Sequence, residues 1–340
     1  MRKLATIREI TRIDPIVNAD AIELATVDGW KVVVKKGEFK IGDHCIYFEI
    51  DSWIPADIAP FLFKGRSYKG VEGERLRTVK LRGQISQGLL LPYWGFVDVV
   101  NAYHRTRIET GNAFDVTDIL GVQLYESPLP TNLAGAIRGN FPNFVKKTDQ
   151  ERIQNLKKEL RDWNANSDLW EVTEKMDGSS MTVYFRDNEF GVCSRNFDLK
   201  ETEENAFWKM ANELNLRESL TNLGENVAIQ GELIGPGIQG NKYALSKPMF
   251  LVFDVYDIDK GSYLPSSERK FVVRELNLKE VPCAGMRSIF GMSIEDLLSM
   301  AEGKSVLNNK SDREGLVFKR ADGSTSFKSI SNKWLLRNEE

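Results

Sequence analysis

The chain has 340 residues, 41% hydrophobic and 28% charged, with a formal net charge of −3. That length favours two domains, each able to bury a core, and no apolar run approaches the roughly 18 residues of a membrane span. Three cysteines and two histidines leave a disulfide framework, a thiolate metal site, zinc catalysis and a Ser-His-Asp triad without parts. Any metal is therefore expected to be a hard cation held by carboxylates and phosphate oxygens. The start, Met1-Arg2-Lys3-Leu4-Ala5-Thr6, lacks the apolar core of a secretory signal. A cytoplasmic, reducing setting follows as an expectation, with Cys45, Cys193 and Cys283 as buried free thiols. The small net charge excludes a general positive coat but leaves room for a local basic surface.

In chain order, residues 22–27, 30–34 and 45–50 read as short strands, punctuated by Asp28-Gly29 and Gly42-Asp43. An all-β barrel of the OB type is expected. Lys64, Arg66, Lys69, Arg75, Arg77, Lys80 and Arg82, with Tyr68 among them, stand against only Glu72 and Glu74. That segment is either a solvated rim or a nucleic-acid-facing strip, since OB barrels combine basic and aromatic groups for that purpose. Residues 126–147, with Pro128, Pro130 and Pro142, have the composition of a connection between domains. Thr148-Asp149-Gln150-Glu151 makes a capping-box pattern with Ile153, Leu156 and Leu160 at helical spacing behind it, which predicts a helix over 149–161. Residues 181–185 and 190–193 flank Asp187-Asn188 as a hairpin. Helical patterns near 202–215 and 293–302 lie between strands such as 227–234 and 249–257, so the second domain is expected to be mixed α+β.

Lys175-Met176-Asp177-Gly178 alone is a weak signal, recurring by chance in roughly one chain in ten. Its company raises it: Ser194-Arg195-Asn196, Gly231-Glu232-Leu233, Val252-Phe253-Asp254-Val255-Tyr256, Glu314-Gly315-Leu316-Val317-Phe318-Lys319 and Phe327-Lys328-Ser329-Ile330 follow in order. A lysine attacks phosphorus only as the free amine, so its pKa must fall from about 10.4. Burial and neighbouring cations would lower it, with Lys328, Lys319 and a divalent metal on the triphosphate as the neighbours. Glu314 suits the metal or its waters. Glu232 can accept from ribose hydroxyls, Arg195 can reach ribose or phosphate, and Phe253 offers a face to a purine. Each has a plainer reading: Lys175 as a turn lysine, Phe253 as core, Glu232 and Glu314 as strand-end carboxylates, Arg195 as a surface ion pair, Lys319 as a solvent-facing strand end.

Taken in that order, the motifs resemble those of the covalent nucleotidyltransferases, the superfamily of ATP-dependent ligases and capping enzymes, over residues 148–335. Within it the chain is most similar to the RNA ligases with an amino-terminal OB domain, the fifth RNA ligase family. With the sequence ending at Glu340, no carboxy-terminal OB module is expected. Asn18-Ala19-Asp20-Ala21-Ile22-Glu23 and Lys80-Leu81-Arg82-Gly83-Gln84-Ile85-Ser86-Gln87-Gly88 also resemble segments of that family's OB domains and of tRNA-binding modules.

The resemblance implies an α+β chain: an OB-type β-barrel over 1–125, a linker over 126–147 and an ATP-grasp-like nucleotidyltransferase domain with antiparallel sheets over 148–340. It implies ATP-dependent sealing of 3′-hydroxyl and 5′-phosphate ends in nicked duplex or broken RNA, with Mg2+ or Mn2+, by a monomer away from membranes. Carried over by position, Lys175 would become the lysyl-adenylate, with Gly178 counted among the nucleotide-binding residues. Asp177 and Glu232 would hold ribose or organise the metal site, and Arg195 would contact the nucleotide. Phe253 would stack on adenine, Glu314 would bind metal through water and Lys328 would contact the α-phosphate. Arg152, on the expected helix, would grip the pyrophosphate or merely cover the helix surface. Many family members carry a second lysine where this chain has Ile330, so Lys328 works alone or Lys333 or Lys319 assists. The alternatives are a GTP-dependent capping-type guanylyltransferase, a non-catalytic RNA-binding protein and a DNA ligase. The missing carboxy-terminal OB module disfavours the first, and intact Lys175, Glu232, Glu314 and Lys328 disfavour the second. No short motif reads a 2′-hydroxyl, so the third stays open.

Overall fold

Trp30, Val32 and Val34 are buried along Trp30–Lys35 while Lys31 and Val33 are only partly covered, the period-two pattern of a sheet with one face on a core. This strand pairs with Ile22–Val27 across Asp28-Gly29. The turn's φ values of 48° and 83° are both left-handed, the geometry that matches strand twist in a two-residue hairpin. These strands belong to a computed structural model that describes residues 2–104, 114–126 and 135–338. Pro128 and Pro130 lie outside the described residues. The chain divides into two units, 1–128 with 335–340, and 129–334.

The first unit is an OB-type barrel of small sheets. Arg12–Pro15 joins the hairpin just described. Leu89–Pro92, His44–Phe48, Ala5–Glu9 and Phe114–Asp115 form a second sheet, and Gln123–Leu124, Ser52–Pro55, Val71–Arg75 and Arg66–Tyr68 a third. One core gathers Ile46, Phe48, Ile54 and Leu76, another Trp30, Val32 and Tyr47. The basic segment splits in two. On the third sheet the cations are engaged: Arg66 with Glu74, Lys69 with Glu126 and over the Tyr68 ring, Arg75 with Asp51 and over the Tyr125 ring. The hairpin of Thr78–Leu81 and Gln84–Gln87 differs. Its exposed residues Val79, Lys80, Leu81 and Arg82 leave both faces of the outer strand open to water, next to exposed Arg77.

The second unit is built on two sheets. An eight-stranded sheet runs Ile137–Asn140, Phe197–Leu199, Glu189–Cys193, Ser179–Arg186, Val227–Ile234, Met249–Asp257 and Ser262–Tyr263, with Lys279–Glu280 also pairing Met249–Asp257. A five-stranded sheet runs Glu151–Arg152, Ser326–Ile330, Gly315–Arg320, Leu169–Lys175 and Cys283–Ser288. Trp208, Leu216, Leu220, Val272 and Leu276 bring three helices, Ala206–Glu213, Leu216–Leu223 and Ser266–Glu275, onto the larger sheet's core. Ile294–Ala301, opened by a Ser293–Asp296 capping box, lays Leu297 and Leu298 on Trp170, Phe318 and Phe327. Among the described residues no helix is long and apolar enough to cross a membrane.

The strands expected over 227–234 and 249–257 are present at those bounds. The hairpin around Asp187-Asn188 is present too, with φ values of 49° and 64° at the turn. The helical pattern near 202–215 is the helix Ala206–Glu213, and a second helix that the pattern did not cover, Leu216–Leu223, follows Asn215, which is left-handed at φ 51°.

Three expectations need correction. No helix begins at 149. Glu151–Arg152 instead pairs in parallel with Phe327 and Lys328, a 3-10 turn follows over Ile153–Asn155, and helix starts only at Lys157. The local capping pattern loses to tertiary pairing because Ile153 is fully buried against Trp170 and Phe327, while the Glu151 carboxylate accepts from Arg152 N and Asn155 Nδ2. The stretch 126–147 is not all connection: Ile137–Asn140 is an edge strand, and Phe141, Phe144 and Val145 pack with Tyr184 and Tyr256. Cys283 is exposed, unlike Cys45 and Cys193.

Candidate active site

Strand Leu169–Lys175 is buried from Trp170 to Glu174, and Lys175 is its last residue, opposite Gly315. The chain then leaves the five-stranded sheet and enters the eight-stranded one at Ser179, opposite Leu233. Asp177 and Gly178 are that crossing. A Cβ on Gly178 would lie 2.4 Å from the Leu233 carbonyl oxygen and 3.0 Å from Glu232 Cγ, so only glycine fits. Met176 anchors the crossing in a cluster with Ile234, Tyr243 and Leu251, against which Phe253 packs. The Asp177 N–H donates to the Tyr243 hydroxyl at 2.6 Å.

Residues far apart in sequence converge here. Lys175 Nζ is 2.7 Å from Glu314 Oε1, and the charges of Glu232 and Asp177 also act on it. Burial presses the lysine toward the free amine, but the three carboxylates and the hydrogen bond to Glu314 outweigh it, and the pKa lies above the ordinary value. The sequence led to the opposite expectation, a pKa lowered by burial and neighbouring cations. The groups that surround the amine are carboxylates. Burial, helped by Glu314 and Asp177, pushes Glu232 up to about 8 against the pull of Lys175. Burial likewise raises Glu314, opposed by Lys175 and by Lys328.

Lys328 lies opposite Val317 on one side and beside Arg152, in parallel register, on the other. Arg152 is thus on a strand next to Lys328 rather than on a helix. Lys319 takes a different direction. It lies four residues from Gly315, about 13 Å along the strand. Its ammonium donates to the Phe253 carbonyl and pairs with Asp254 at 2.6 Å, 5.5 Å from the Phe253 ring centre. It underpins Phe253 and does not join Lys175. Lys333 stands 3.8 Å from Asp312, and Ile330 is buried. Arg195 forms an exposed ion pair with Asp149 at 2.8 Å.

The donor set suits a hard cation. Among the described residues no three His, Cys, Asp or Glu side chains gather as a ready metal cage. Glu314 Oε2, however, is buried without a hydrogen-bond partner among the described residues, and every nearby carboxylate offers oxygen. A divalent ion that takes one or two carboxylates and fills its shell with phosphate oxygens and water fits such a place.

Sequence reasoning missed Lys242 and Tyr243. Lys242 pairs with Asp177, and Tyr243 receives the Asp177 N–H. The available signal was Gly235-Pro236-Gly237-Ile238-Gln239-Gly240-Asn241, directly after the Glu232 strand. Such glycine density marks a loop of left-handed residues, and loops of that kind carry function.

A lysine at a strand end, ringed by carboxylates where two largely antiparallel sheets meet, in a chain that also carries an OB-type barrel, defines the class: a nucleotidyltransferase of the ligase type. Residues 168–335 match the RNA ligase family model, and residues 4–93 match an OB-fold domain model. No curated protein matches the chain in sequence. Solved structures of Naegleria gruberi RNA ligase do. A mutant of it with ATP and Mn is 48% identical at a TM-score of 0.85, covering 98% of this chain and 99% of that one. A mutant with AMP and Mn is 47% identical at 0.86, covering 99% of each, and the ligase with PPi is 48% identical at 0.85 with the same coverage. The chain belongs to the RNA ligase family.

Proposed function

We propose that the chain is an ATP-dependent RNA ligase that seals 3′-hydroxyl and 5′-phosphate ends, acting as a cytoplasmic monomer. The observation that carries this is the Lys175 ammonium at the end of its strand, 2.7 Å from Glu314, with Glu232 and Asp177 around it. Support comes from the complexes of the Naegleria gruberi ligase with ATP and Mn, AMP and Mn, and PPi, which are the substrate, the transferred group and the leaving group of adenylylation.

Three in-line displacements make up the reaction. Lys175 Nζ bonds to the α-phosphorus of ATP as pyrophosphate leaves. The AMP then passes to the 5′-phosphate of a broken strand, and the 3′-hydroxyl displaces AMP to form the phosphodiester. Positioning and electrostatics supply most of the acceleration in such steps, so two histidines are no handicap. Lys175 rests protonated, and it passes its proton to solvent water once Glu314 no longer draws on it, leaving the free amine to attack. A divalent cation, Mg2+ or Mn2+, bound at Glu314 would supply the charge that the carboxylates now take from the lysine. Glu232 and Asp177 serve ribose or the metal's waters, Phe253 the purine, Lys328 the α-phosphate, and Arg152 beside it the departing pyrophosphate.

The test is incubation with α-labelled nucleotide. ATP should place label on the protein and GTP should not; label from GTP would instead favour a guanylyltransferase, and label from neither would overturn the reading. Matched nicks with RNA or DNA at either end then assign the strand preference.

Within the same reading, the open hairpin of Thr78–Leu81 and Gln84–Gln87 grips the RNA backbone through Lys80 and Arg82. Lys80→Gln with Arg82→Asn, asparagine being tolerant of the left-handed φ of 49° at position 82, removes two cations and preserves the turn. RNA affinity should fall roughly tenfold at low salt. The slope of log affinity against log salt should shrink by about 1.4, two phosphate contacts at about 0.7 each. An unchanged slope in an anisotropy titration would return this hairpin to a solvated rim.

A further inference from the structure

We propose that Lys242 is a phosphoryl-binding cation of the Lys175 site, held on Asp177 until an anionic phosphate arrives. This rests on reading the site as one that handles nucleotide phosphates. Lys242 Nζ pairs with the carboxylate of Asp177, the second residue after the nucleophile, and sits 4.5 Å from the centre of the Trp334 ring. Its base is fixed. The Lys242 carbonyl accepts from Asn308 Nδ2 at 2.9 Å and from Ser311 Oγ at 2.8 Å. The adjoining Tyr243 is buried with its hydroxyl on the Asp177 N–H, and the flanking Asn241 and Ala244 are left-handed at φ 48° and 53°. The tip is not fixed in the same way, since the side chain keeps 31% of its surface exposed. A pinned backbone with a partly open ammonium can swing from a carboxylate to a phosphate without moving the loop.

Charge supplies the reason. Three carboxylates, Asp177, Glu232 and Glu314, act on the nucleophile. Phosphate oxygens entering such a place need cations. Lys175 gives up its positive charge in becoming a nucleophile, and Lys319 is committed to Asp254. Lys242 is a lysine whose carboxylate partner belongs to the nucleophile's own loop, so it is in place to exchange that partner for a phosphate.

Two sources present this chemistry: the β- and γ-phosphates of the nucleotide and the 5′-phosphate of a polynucleotide. The experiment separates them by binding, without turnover. Inorganic pyrophosphate with no added metal, adenosine, and 5′-phosphorylated against 5′-hydroxyl oligoribonucleotide are titrated by calorimetry into the wild-type chain, Lys242→Met and Lys242→Arg. Methionine is an unbranched side chain of nearly the same length and removes the charge. Affinity for pyrophosphate should fall about tenfold in Lys242→Met and recover in Lys242→Arg, with adenosine unchanged, if the source is the nucleotide. The same pattern confined to the 5′-phosphorylated strand would assign the polynucleotide instead, and loss for both would mean that the lysine serves each in turn. Equal affinities for both phosphates in wild type and Lys242→Met would overturn the proposal while leaving the ligase reading intact. A parallel fall in adenosine binding, or no recovery with arginine, would overturn it too, making Lys242 a structural partner of Asp177. Failure of wild type itself to bind any of these ligands would count against the ligase reading and, with it, this proposal.

Discussion

Lys175→Ala and Lys175→Arg should both bring adenylylation of the protein to background. Loss of a covalent nucleophile can cost roughly 10⁶-fold in kcat, so no label should be visible on either variant. The pair is informative because the two substitutions differ in charge. Lys175 is a cation among Glu314, Glu232 and Asp177, and alanine removes both the amine and that charge. Arginine keeps the charge beside Glu314 but does not deprotonate at workable pH. If label vanished only in the alanine variant, the site would need a cation there and not a nucleophile. Label retained by both would dismiss Lys175 altogether. Adenylyl transfer to a hydroxyl instead of an amine would show as label that survives mild acid, where a lysyl phosphoramidate hydrolyses.

Much of this site was legible because its parts lie on strands or directly beside them: Lys175 ends one, Glu314 precedes one, and Glu232 and Lys328 lie within two others. Lys175, Glu232, Glu314 and Lys328 each belong to a short motif, and motif order alone singled them out. The sign of the Lys175 shift was not legible. It depends on three carboxylates, one from the crossing at Asp177, one from the larger sheet and one entering strand Gly315–Arg320, and no local window contains all three. Lys319 failed for a simpler reason: in a strand, position sets distance, and four residues past Gly315 it meets Asp254 and Phe253 rather than the amine. The 149–161 helix failed because a capping pattern is worth about 1 kcal/mol, less than burying Ile153 while pairing Glu151 and Arg152 to the lysine strand of Lys328. Lys242 was invisible because its partner is reached through a loop of six left-handed residues, Gly235, Gly237, Gln239, Gly240, Asn241 and Ala244, whose path sequence cannot trace.

Arg269→Met should destabilise the second unit by about 3 kcal/mol or more, the usual cost of leaving a buried charge without its partner. Glu171 has no exposed side-chain surface, and Arg269 beside it has 4%. Arg269 Nη2 is 2.6 Å from Glu171 Oε2 and its Nε is 2.9 Å from Glu280 Oε1, while Lys270 Nζ is 2.8 Å from Glu171 Oε1. Burial alone would raise the Glu171 carboxyl; the Arg269 charge and hydrogen bonds from Lys270, Ser266 and Arg269 overturn that and bring it to about 2. The folded value is below the ordinary 4.5, so the stability it contributes is complete above pH 4.5 and is lost as pH falls from there toward 2. In Arg269→Met, burial prevails and the carboxyl rises, so acid protonates Glu171 and relieves the strain. Urea titrations should therefore show the gap between wild type and variant widest near pH 7, narrowing as pH falls through the variant's raised carboxyl value and further below pH 4.5 as the wild type loses its own share. Glu171→Gln added to Arg269→Met should restore part of the loss. A gap under about 1 kcal/mol at pH 7, or one that widens in acid, would show that Lys270 and Ser266 already satisfy Glu171. The consequence for chemistry follows from position: Glu171 is four residues before Lys175 in the same strand and lies opposite Lys319, which underpins Phe253. One buried carboxylate thus ties helix Ser266–Glu275 to the strand of the nucleophile. A variant that loosens it should lose adenylylation on warming before it loses helix signal.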